Sequence, residues 1–416
     1  MAQTNPERIQ TTACVVGGGP AGMMAGFLLA RAGVPVIVLE KHADFFRDFR
    51  GDTIHPSTLE LMHQLGLLDR FLQLPHQEVR EIGAVVGQVY VRIGDLTRLP
   101  TVCKFLAFMP QWDFLDFIAR EAAAYKTFAL RMLADVDELI IESGVVTGVR
   151  AATPGGQLEI RAPLVIGADG RHSIIRDKAG FTVDSFGAPM DVLWFRIARE
   201  PSDPGQVLGR VDRGKMMILL DRGDYFQCGY LIRKGDFDEI RQRGLQAFRD
   251  DIAFLSPFLR DRVDTIADWS QVSLLTVVID RLRQWYRPGL LCIGDAAHAM
   301  SPIGGVGINL AIQDAVATAN ILWRSLRAGN APLDLLARVQ QRREFPTRVT
   351  QGAQVTIQNN VIRQVLGVDR PVSPPFIMRL LDRYRILRGI PARLVGIGVR
   401  PEHIRSPDVN QPPPAR

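Results

Sequence analysis

A glycine-rich turn near the amino terminus constrains the fold of this chain more strongly than any other feature. Residues 17–22 read Gly-Gly-Gly-Pro-Ala-Gly, so Gly17, Gly19 and Gly22 have the GxGxxG spacing. The segments around the turn predict, in order, a strand, a helix and a second strand: residues 12–16, 23–32 and 34–39. Together they predict a βαβ unit whose turn meets a nucleotide pyrophosphate at the start of a helix.

Each glycine at this spacing has a physical reason. The first glycine permits a tight turn, the second lets the backbone approach a phosphate, and the third lets the helix lie close to the strand. Glu40 follows the second strand, where a carboxylate can accept hydrogen bonds from ribose hydroxyls. An unrelated glycine turn is the alternative, and FAD and NAD both contain the ADP half. The predicted adenosine-side residues are Gly17, Gly19, Pro20, Ala21, Gly22, Glu40 and Lys41.

The uncharged run of residues 11–30 approaches the length of a membrane-spanning helix. Glycines and Pro20 interrupt it, and no basic segment with a small-residue cleavage site frames it. Hydrophobic residues make up 47% of the 416-residue chain and charged residues 23%, which is typical of globular proteins. We therefore expect a globular protein of two or three domains, with neither a membrane span nor a signal peptide.

Charge and cysteine content indicate a cytoplasmic protein without a nucleic-acid partner or a metal. The net charge of +6 comes from 50 basic and 44 acidic residues, a small excess that favours phosphates without indicating nucleic acid. The four cysteines are far apart and lack CxxC spacing: Cys14, Cys103, Cys228 and Cys292.

Two later segments favour FAD over NAD. Residues 164–170 form an apolar run ending in Gly-Ala-Asp-Gly, and residues 290–298 form another that leads into Asp295 and then into a glycine-rich stretch at 301–309. Asp295 at a strand end is placed to hold ribityl hydroxyls, and the glycine-rich turn lets backbone N–H groups face the flavin pyrimidine. Glycines that serve only for turning would explain either segment alone, but they explain all three motifs poorly.

This combination of motifs resembles the single-component flavoprotein aromatic hydroxylases of the p-hydroxybenzoate hydroxylase type. The resemblance covers about residues 10–325 and rests on GGGPAG at 17–22, GADGRHSIIR at 167–176 and GDAAHAMSPIGGVGINLAIQDA at 294–315. It implies bound FAD, NADPH or NADH as transient electron donor, and O2. It further implies oxygenation through a flavin C4a-hydroperoxide, by which a small, largely apolar aromatic, polyketide-like or quinone-like substrate is hydroxylated or epoxidised.

The resemblance also assigns cofactor-binding positions. The second motif contributes Asp169, Gly170 and Arg171, which the family associates with both FAD and NAD(P)H. The third motif contributes Gly294, Asp295, Pro302, Gly305, Gly307, Ile308 and Asn309. Arg50 resembles a family arginine near the pyrophosphate and Gln111 a glutamine on the adenosine side, with a solvated surface position as the alternative for both. Four arginines are candidates for the coenzyme phosphates: Arg47, Arg50, Arg171 and Arg176.

The predicted fold is α/β, with a Rossmann-like FAD/NAD(P)-binding domain of the p-hydroxybenzoate hydroxylase type assembled from residues 1–75, 101–181 and 281–330. Residues 76–100 and 182–280 contain β-prone runs, including 85–93 and 272–278, and predict an inserted β-sheet substrate domain of α+β character. Residues 331–405 predict a C-terminal helical region, with apolar residues at helical spacing in 333–345 and 376–387. Residues 406–416 predict a flexible tail.

The sequence identifies no catalytic side chain, because the family chemistry is carried by the flavin. Four residues on predicted cavity strands are candidates, with core packing as the alternative for each: Arg196, Tyr225, Gln227 and Tyr230. Side chains alternate along a strand, so Tyr225 and Gln227 would share a face. His298 follows the flavin acid and is interpreted as tuning or packing that site.

Three further questions stay open at this stage. A reductase or dehydrogenase of the same fold that inserts no oxygen, and a non-catalytic nucleotide-dependent carrier, are the alternative functions. The expected partners are a small-molecule substrate, O2 and NAD(P)H, and the expected assembly is a monomer or a homodimer. Arginines interleaved with apolar residues between 379 and 400 could make weak contact with an anionic membrane or form the solvated face of a packed helix.

Overall fold

A six-stranded sheet, parallel except at one edge, forms the centre of the larger part of the molecule. The computed structural model describes residues 7–46, 53–204, 209–366 and 370–410. From edge to edge the strands are Tyr286–Arg287, Leu290–Cys292, Leu164–Gly167, Ala13–Val16, Val36–Leu39 and Phe128–Arg131. The strands that precede the three motifs are direct parallel neighbours, so their carboxyl ends meet at one edge of the sheet.

Helices are labelled in chain order. They are α1 Pro20–Arg31, α2 Pro56–Gln64, α3 Leu68–Phe71, α4 Gln111–Ala123, α5 Ile174–Lys178, α6 Phe237–Gln242, α7 Leu245–Leu255, α8 Val306–Arg327, α9 Leu333–Ile357, α10 Arg363–Val365, α11 Phe376–Arg383 and α12 Gly389–Gly396. Helix α1 packs against both α4 and α8, and α8 packs in turn against α9. The central parallel strands are buried on both faces, as their unbroken runs of valine, isoleucine and leucine predict.

Three smaller sheets complete this part of the molecule. A four-stranded sheet consists of Glu7–Gln10, Gly156–Arg161, Val145–Thr153 and Asp135–Glu142. A three-stranded sheet consists of Thr53–Ile54, Leu106–Phe108 and Gln77–Val79, and a two-stranded one of Val183–Ser185 and Asp280–Leu282.

The second large sheet is seven-stranded and has two different faces. Its strands, in spatial order, are Ser273–Leu275, Met190–Ala198, Tyr225–Arg233, Lys215–Asp221, Gly209–Asp212, Glu81–Val86 and Val89–Asp95. On one face, Phe195 and Phe226 share a core cluster with Phe248 of α7. On the other face, Trp194 and Ile218 share a cluster with Ile303 of the third motif. The sheet therefore turns one face toward that motif.

The architecture confirms the predicted α/β class with a β-sheet part, but several elements differ from their prediction. Residues 85–93 are not one strand, because Gly87 adopts a φ of 62° and turns the chain into a hairpin. Residues 272–278 contain only the short strand Ser273–Leu275. Helices α6 and α7 supply the helical part of the substrate domain, at positions that the prediction did not specify. Helix α11 ends at Arg383, and a 3-10 turn, Arg385–Arg388, follows it.

The prediction that the flexible tail begins at Ser406 is wrong for residues 406–410. Arg31 is buried and donates hydrogen bonds to the carbonyl oxygens of Ser406 at 2.9 Å and Pro407 at 3.2 Å. Asp408 forms an ion pair with Arg31 at 3.5 Å. A buried guanidinium requires acceptors, so it holds this polar, proline-containing segment in place. In the described ranges, no helix is both long enough and apolar enough to cross a bilayer.

Candidate active site

The amino-terminal turn has the shape that its glycine spacing predicts. A Cβ at Gly22 would collide with the carbonyl oxygen of Gly17, and a Cβ at Gly17, whose φ is 105°, would collide with the backbone of Ala168. A Cβ at Gly19 would meet no described atom within 4 Å. No described side chain caps the first turn of α1, so its N–H groups and positive dipole end face this open space. The turn thus forms an open backbone cradle suited to a pyrophosphate.

Glu40 borders this cradle at the end of the neighbouring strand. Its Oε2 accepts a hydrogen bond from the Gly18 N–H at 2.9 Å, and its Oε1 lies 2.5 Å from His42 Nδ1. Burial opposes ionisation, but the hydrogen bonds from the His42 side chain and from Gly18 hold the pKa of Glu40 below its ordinary value. The carboxylate is therefore ionised at neutral pH, the state that accepts hydrogen bonds from ribose hydroxyls. Lys41 beside it is exposed.

The acid of the second motif points into the protein. Asp169 Oδ1 accepts a hydrogen bond from Ser173 Oγ at 2.6 Å, and Oδ2 accepts one from the Ile175 N–H at 3.1 Å. Ser173 in turn caps α5 by accepting the Arg176 N–H at 3.0 Å. Burial raises the pKa of Asp169 in spite of these bonds. Asp169 therefore fixes the turn at Gly170, and direct contact between Asp169 and a cofactor stays a prediction.

The three motifs converge where their strands end side by side. A Cβ at Gly294 would lie 3.0 Å from the Cβ of Ala21 in α1 and 3.2 Å from the Cβ of Ala311 in α8, so this glycine lets the two helices approach each other. Arg171 Nη2 lies 3.9 Å from Asp295 Oδ2, and these two side chains are 22% and 33% exposed. Arg171 and Asp295 thus bring the second and third motifs together at the solvent-facing edge of the site.

The glycine-rich loop of the third motif turns sharply into α8. After Pro302, Gly304 and Gly305 have φ values of 76° and 61°, in the left-handed region that glycine adopts without strain. Gly307 and the buried Ile308 lie in the first turn of α8. No described side chain caps this helix start, so its N–H groups remain available to an acceptor such as the flavin pyrimidine.

Asn309 anchors this loop and does not project into open space. Its Nδ2 donates to the Thr53 carbonyl at 2.9 Å, while its Oδ1 accepts from the His55 N–H at 2.9 Å and from Thr58 Oγ1 at 2.7 Å. His55 Nδ1 donates to the Val395 carbonyl of α12 at 2.7 Å. Burial lowers the pKa of His55 to about 4, so the ring is neutral at physiological pH. Asn309 and His55 thereby connect the loop, α2 and α12.

A buried ionic cluster lies behind the turn at Gly294. Asp314 Oδ2 accepts the Gly294 N–H at 3.1 Å and the His298 Nε2–H at 2.6 Å, and Asp314 Oδ1 accepts Arg343 Nε at 2.8 Å. Arg343 Nη1 lies 3.5 Å from Glu402. Burial raises the pKa of Asp314, but His298 and Arg343 outweigh burial and hold it below its ordinary value. His298 therefore packs and positions this turn, consistent with its interpretation from the sequence.

Helix α9 supports the segment that leads to the loop, and this role was missed at the sequence level. Gln351 Nε2 donates to the carbonyls of Asp280 and Ala299, and Gln354 bonds both the N–H and the carbonyl of Ser301. The sequence predicted apolar residues on the buried side of 333–345, but much of the buried side of the helix is polar. Buried polar residues recur along α9 and into the turn that follows it at intervals of three or four residues, a signal that was present in the sequence: Gln340, Arg343, Thr347, Gln351, Gln354 and Gln358.

The four candidate cavity residues divide between the two faces of the seven-stranded sheet. Arg196 is the cross-strand partner of Gln227, and its guanidinium lies 4.9 Å from the centre of the Tyr225 ring. These three residues share the face that carries Trp194, which is turned toward the third motif. Tyr230 lies on the opposite face, where its hydroxyl donates to Asp251 at 3.2 Å and burial raises its pKa. The placement of Tyr230 in the cavity is therefore wrong.

The remaining predicted residues have varied positions. Gln111 is the first residue of α4 and is partly exposed. Arg47 and Arg50 lie outside the described residues. Arg176 donates to Asp280 at 3.2 Å and to the Arg171 carbonyl at 2.6 Å, so its guanidinium is engaged within the protein and is a poor candidate for coenzyme phosphates.

These features fit FAD. The backbone cradle at Gly19, the ionised Glu40, and the Arg171 and Asp295 side chains follow the ends of four adjacent parallel strands, and the uncapped start of α8 comes after them. They offer, respectively, sites for pyrophosphate, ribose, ribityl hydroxyls and the flavin pyrimidine. No group of three or more metal-ligating side chains occurs in the part of the chain that the structure describes.

Comparison with known proteins agrees with this reading of the site. Residues 10–353 match the family model described as "FAD binding domain". The chain is 32% identical over 403 residues to a 6-methylpretetramide 4-monooxygenase from Streptomyces rimosus, covering 95% of this chain and 94% of the relative. It is 24% identical over 397 residues to a para-nitrophenol 4-monooxygenase from a Pseudomonas species, covering 88% and 94%.

A solved structure shares the fold. The p-nitrophenol 4-monooxygenase of Pseudomonas putida aligns with a TM-score of 0.73 at 20% identity, covering 94% of this chain and 96% of that chain. The predicted fold, cofactor and enzyme class are confirmed, and the non-oxygenating and carrier alternatives are set aside. The chain belongs to the FAD binding domain family and is an FAD-dependent monooxygenase that takes electrons from NAD(P)H.

Proposed function

We propose that this enzyme hydroxylates an apolar, multi-ring aromatic or polyketide-type substrate bound between the seven-stranded sheet and the glycine-rich loop. The relative that acts on 6-methylpretetramide matches nearly the full length of both chains, which supports a substrate of this kind. The sheet face supports it further, because most of its side chains near Ile303 are apolar. They include Val192, Trp194, Met216, Ile218 and Leu231.

The observation that carries the proposal is the Trp194 indole N–H. Trp194 Nε1 is buried and has no hydrogen-bond partner among the described residues. A buried donor without an acceptor is unfavourable by about 1–3 kcal/mol, so a substrate carbonyl or hydroxyl oxygen at this position would be bound favourably. The apolar surroundings would hold the rings while this one polar contact sets their orientation.

The charges on this face suit an ionisable phenol. Arg222 Nε lies 3.3 Å from Gln227 Oε1, and Arg196 is on the same face. On this face, the described residues of strands Met190–Ala198, Tyr225–Arg233 and Lys215–Asp221 present no carboxylate, because Asp191 and Asp221 lie on the opposite face. Nearby guanidinium groups favour the anionic form of a phenol and lower its pKa. An electron-rich phenolate would thus form without a dedicated side-chain base.

The residues of this chain then act mainly by positioning. When bound and reduced by NAD(P)H, FAD supplies the activation of O2. Asn309 fixes the glycine-rich loop opposite the substrate, and the cluster around Asp314 fixes the turn at Gly294. The apolar sheet face excludes water from the space between the sheet and the loop, which protects a reactive oxygenating species from unproductive decay.

The proposal is tested by replacing Trp194 with Phe, which keeps an aromatic ring and removes the N–H. Stimulation of NAD(P)H oxidation is measured with multi-ring phenols and with single-ring phenols, and incorporation of one labelled oxygen atom from O2 identifies the product. We expect multi-ring compounds to stimulate the wild type and Trp194→Phe to raise KM about tenfold, equivalent to one lost hydrogen bond. Trp269→Phe, in the cluster on the helix side of the sheet, is the matched control and should not change KM.

Two results would overturn the proposal. One is selective stimulation by single-ring phenols, which would exclude the multi-ring class. The other is an equal KM for Trp194→Phe and the wild type on the preferred substrate, which would remove the proposed contact. FAD content and the visible flavin spectrum, measured on every variant, show whether the protein is folded and loaded.

A further inference from the structure

The net positive charge of this protein equals that of one short segment near its carboxyl end. Residues 370–400 contain seven arginines and a single acidic residue, Asp382, so their formal charge of +6 equals that of the whole chain. The rest of the chain therefore carries as many acidic as basic residues. A charge distributed in this way indicates a local binding surface and not a general solubility device.

One side of this segment is firmly attached to the seven-stranded sheet. Helices α11 and α12 both pack on the edge strand Val89–Asp95. Asp382 accepts the Arg92 N–H at 3.0 Å, and Arg385 Nε lies 3.1 Å from Asp95 Oδ2. Ala392 of α12 is fully buried in a small apolar cluster. The orientation of both helices is therefore fixed, and the sides that face away from the strand are exposed together.

The exposed side carries large apolar residues. Phe376 is 72% exposed, Ile377 59%, Ile386 74% and Ile390 67%. Helix α11 contains no buried residue; its Met378 packs against a small apolar cluster of the sheet, whereas Phe376 and Ile377 remain exposed. Three exposed arginines lie among these apolar side chains: Arg379, Arg383 and Arg393. We call these four apolar residues and three arginines the apolar-basic surface.

We propose that the apolar-basic surface docks on an anionic lipid bilayer. Isoleucine and phenylalanine side chains would enter the boundary between headgroups and acyl chains, while the arginines bind anionic headgroups and extend their apolar stems alongside. Each basic residue near such a membrane adds to the electrostatic attraction. A second copy of this chain is a worse occupant, because a symmetric contact would bring two surfaces of the same strong positive charge together.

The docking helices also reach the active site. The carbonyl of Val395 in α12 accepts the His55 Nδ1–H at 2.7 Å, and a Cβ at Gly304 would lie 3.9 Å from the Val395 side chain. Docking would thus place the glycine-rich loop near the bilayer, where apolar substrates concentrate. This last consequence rests on the proposed function, whereas the docking itself does not.

The proposal is tested by co-sedimentation of the full-length, FAD-loaded enzyme with vesicles, without substrate. Vesicles of phosphatidylcholine alone are compared with vesicles that contain about 30% phosphatidylglycerol. We expect binding to the anionic vesicles only, weakened by salt, and reduced about tenfold or more in Ile386→Ser/Ile390→Ser. The matched control is Ile141→Ser/Val145→Ser, because these residues are 42% and 40% exposed on the four-stranded sheet, and it should bind like the wild type.

Three outcomes would overturn the proposal. They are no binding to either vesicle, equal binding by the Ile386→Ser/Ile390→Ser variant and the wild type, and a homodimer in sedimentation velocity that this variant converts to a monomer. The last outcome would assign the surface to a second copy of the chain. Since no substrate is present, failure of the docking proposal is distinguishable from failure of the substrate proposal. Both variants should retain FAD, which verifies that they are folded.

Discussion

The two glycine-rich turns that meet at the active site are held in place by different means. The turn at 17–22 is shaped by backbone contacts, since Gly22 approaches the carbonyl of Gly17 and Gly17 approaches Ala168. The turn at 294–309 is held by side-chain hydrogen bonds to other elements. Asp314 accepts the N–H of its first residue, Gly294, and the side chain of its last residue, Asn309, donates to the Thr53 carbonyl.

The two turns therefore depend on the rest of the chain to different degrees. A turn shaped mainly by its own backbone needs glycines at the right spacing, a neighbouring strand and, here, a single acceptor from Glu40 at the end of the next strand. A turn fixed by side chains needs a buried network, and that network extends through Arg343 to Glu402. We therefore expect the first turn to fail only when it is changed directly, and the second to respond to changes far away in the sequence.

The largest effect is expected for Gly22→Ala. The added methyl group would collide with the Gly17 carbonyl, and neither backbone can move without separating α1 from its strand. We expect a loss of about 5 kcal/mol in the free energy of unfolding and loss of FAD. Thermal unfolding and flavin content measure both.

Gly19→Ala is the matched control for that change. A Cβ at Gly19 meets no described atom within 4 Å, and its φ of −71° suits any residue, so the melting temperature should not change. The FAD dissociation constant should rise about tenfold or more, because the methyl group would occupy the space proposed for the pyrophosphate. Unchanged FAD affinity would show that the cofactor does not use this cradle.

Arg343→Met tests the side-chain support of the second turn. The change removes the ion pair and leaves the fully buried Asp314 with the Gly294 N–H and His298 as hydrogen-bond partners. We expect a loss of about 3–5 kcal/mol in the free energy of unfolding, the usual consequence of breaking a buried ion pair. FAD affinity should fall as well, because Gly294 loses its fixed acceptor.

Arg348→Met on the same helix provides the comparison. Arg348 is 64% exposed and lies 3.7 Å from Glu344, so its loss should change stability by less than about 1 kcal/mol. If the two substitutions had equal effects, the buried cluster would not be what holds the second turn.

The same contrast explains what the sequence could and could not predict. The spacing of Gly17, Gly19 and Gly22 is local, and its meaning follows from backbone sterics, so the turn was predicted together with its strand, helix and second strand. The convergence of the three motifs was also predictable, because each follows an apolar strand of a parallel sheet. The predicted boundaries were less accurate than the predicted elements. The helix predicted over residues 23–32 spans Pro20–Arg31 in the structure.

Side-chain direction was harder to predict. Nothing local in the sequence shows that Asp169 turns inward to Ser173, or that Arg343 reaches Asp314 from another helix. The assignment of Tyr230 could have been avoided, since strand alternation places it opposite Tyr225 and Gln227. The regular spacing of the buried polar residues of α9 was present in the sequence. The backbone groups that Gln351 and Gln354 bind are brought near them only by the fold.

A pH measurement on His55 tests the second turn further, since the backbone N–H of His55 bonds Asn309 of this turn and its ring bonds Val395 of α12. An ordinary histidine has a pKa of about 6.5, whereas burial lowers that of His55 to about 4. Between these values the unfolded chain takes up a proton that the folded protein does not, so stability falls as the pH decreases through this window. We expect the wild type to lose about 3 kcal/mol more than His55→Gln between about pH 7 and pH 4. Parallel pH profiles of unfolding would contradict this.

The smallest effect on stability is expected for Glu40→Gln, because the Glu40 carboxylate accepts a hydrogen bond from the Gly18 N–H of the first turn. A glutamine oxygen can still accept the Gly18 N–H, so the free energy of unfolding should fall by less than about 1 kcal/mol. The charge that would strengthen hydrogen bonds from the ribose hydroxyls is lost, so the FAD dissociation constant should rise several-fold. Glu138→Gln, at an exposed position of the four-stranded sheet, controls for the change in net charge. A loss of stability as large as that of Arg343→Met would mean that the first turn also depends on a side chain, and the distinction between the two turns would no longer hold.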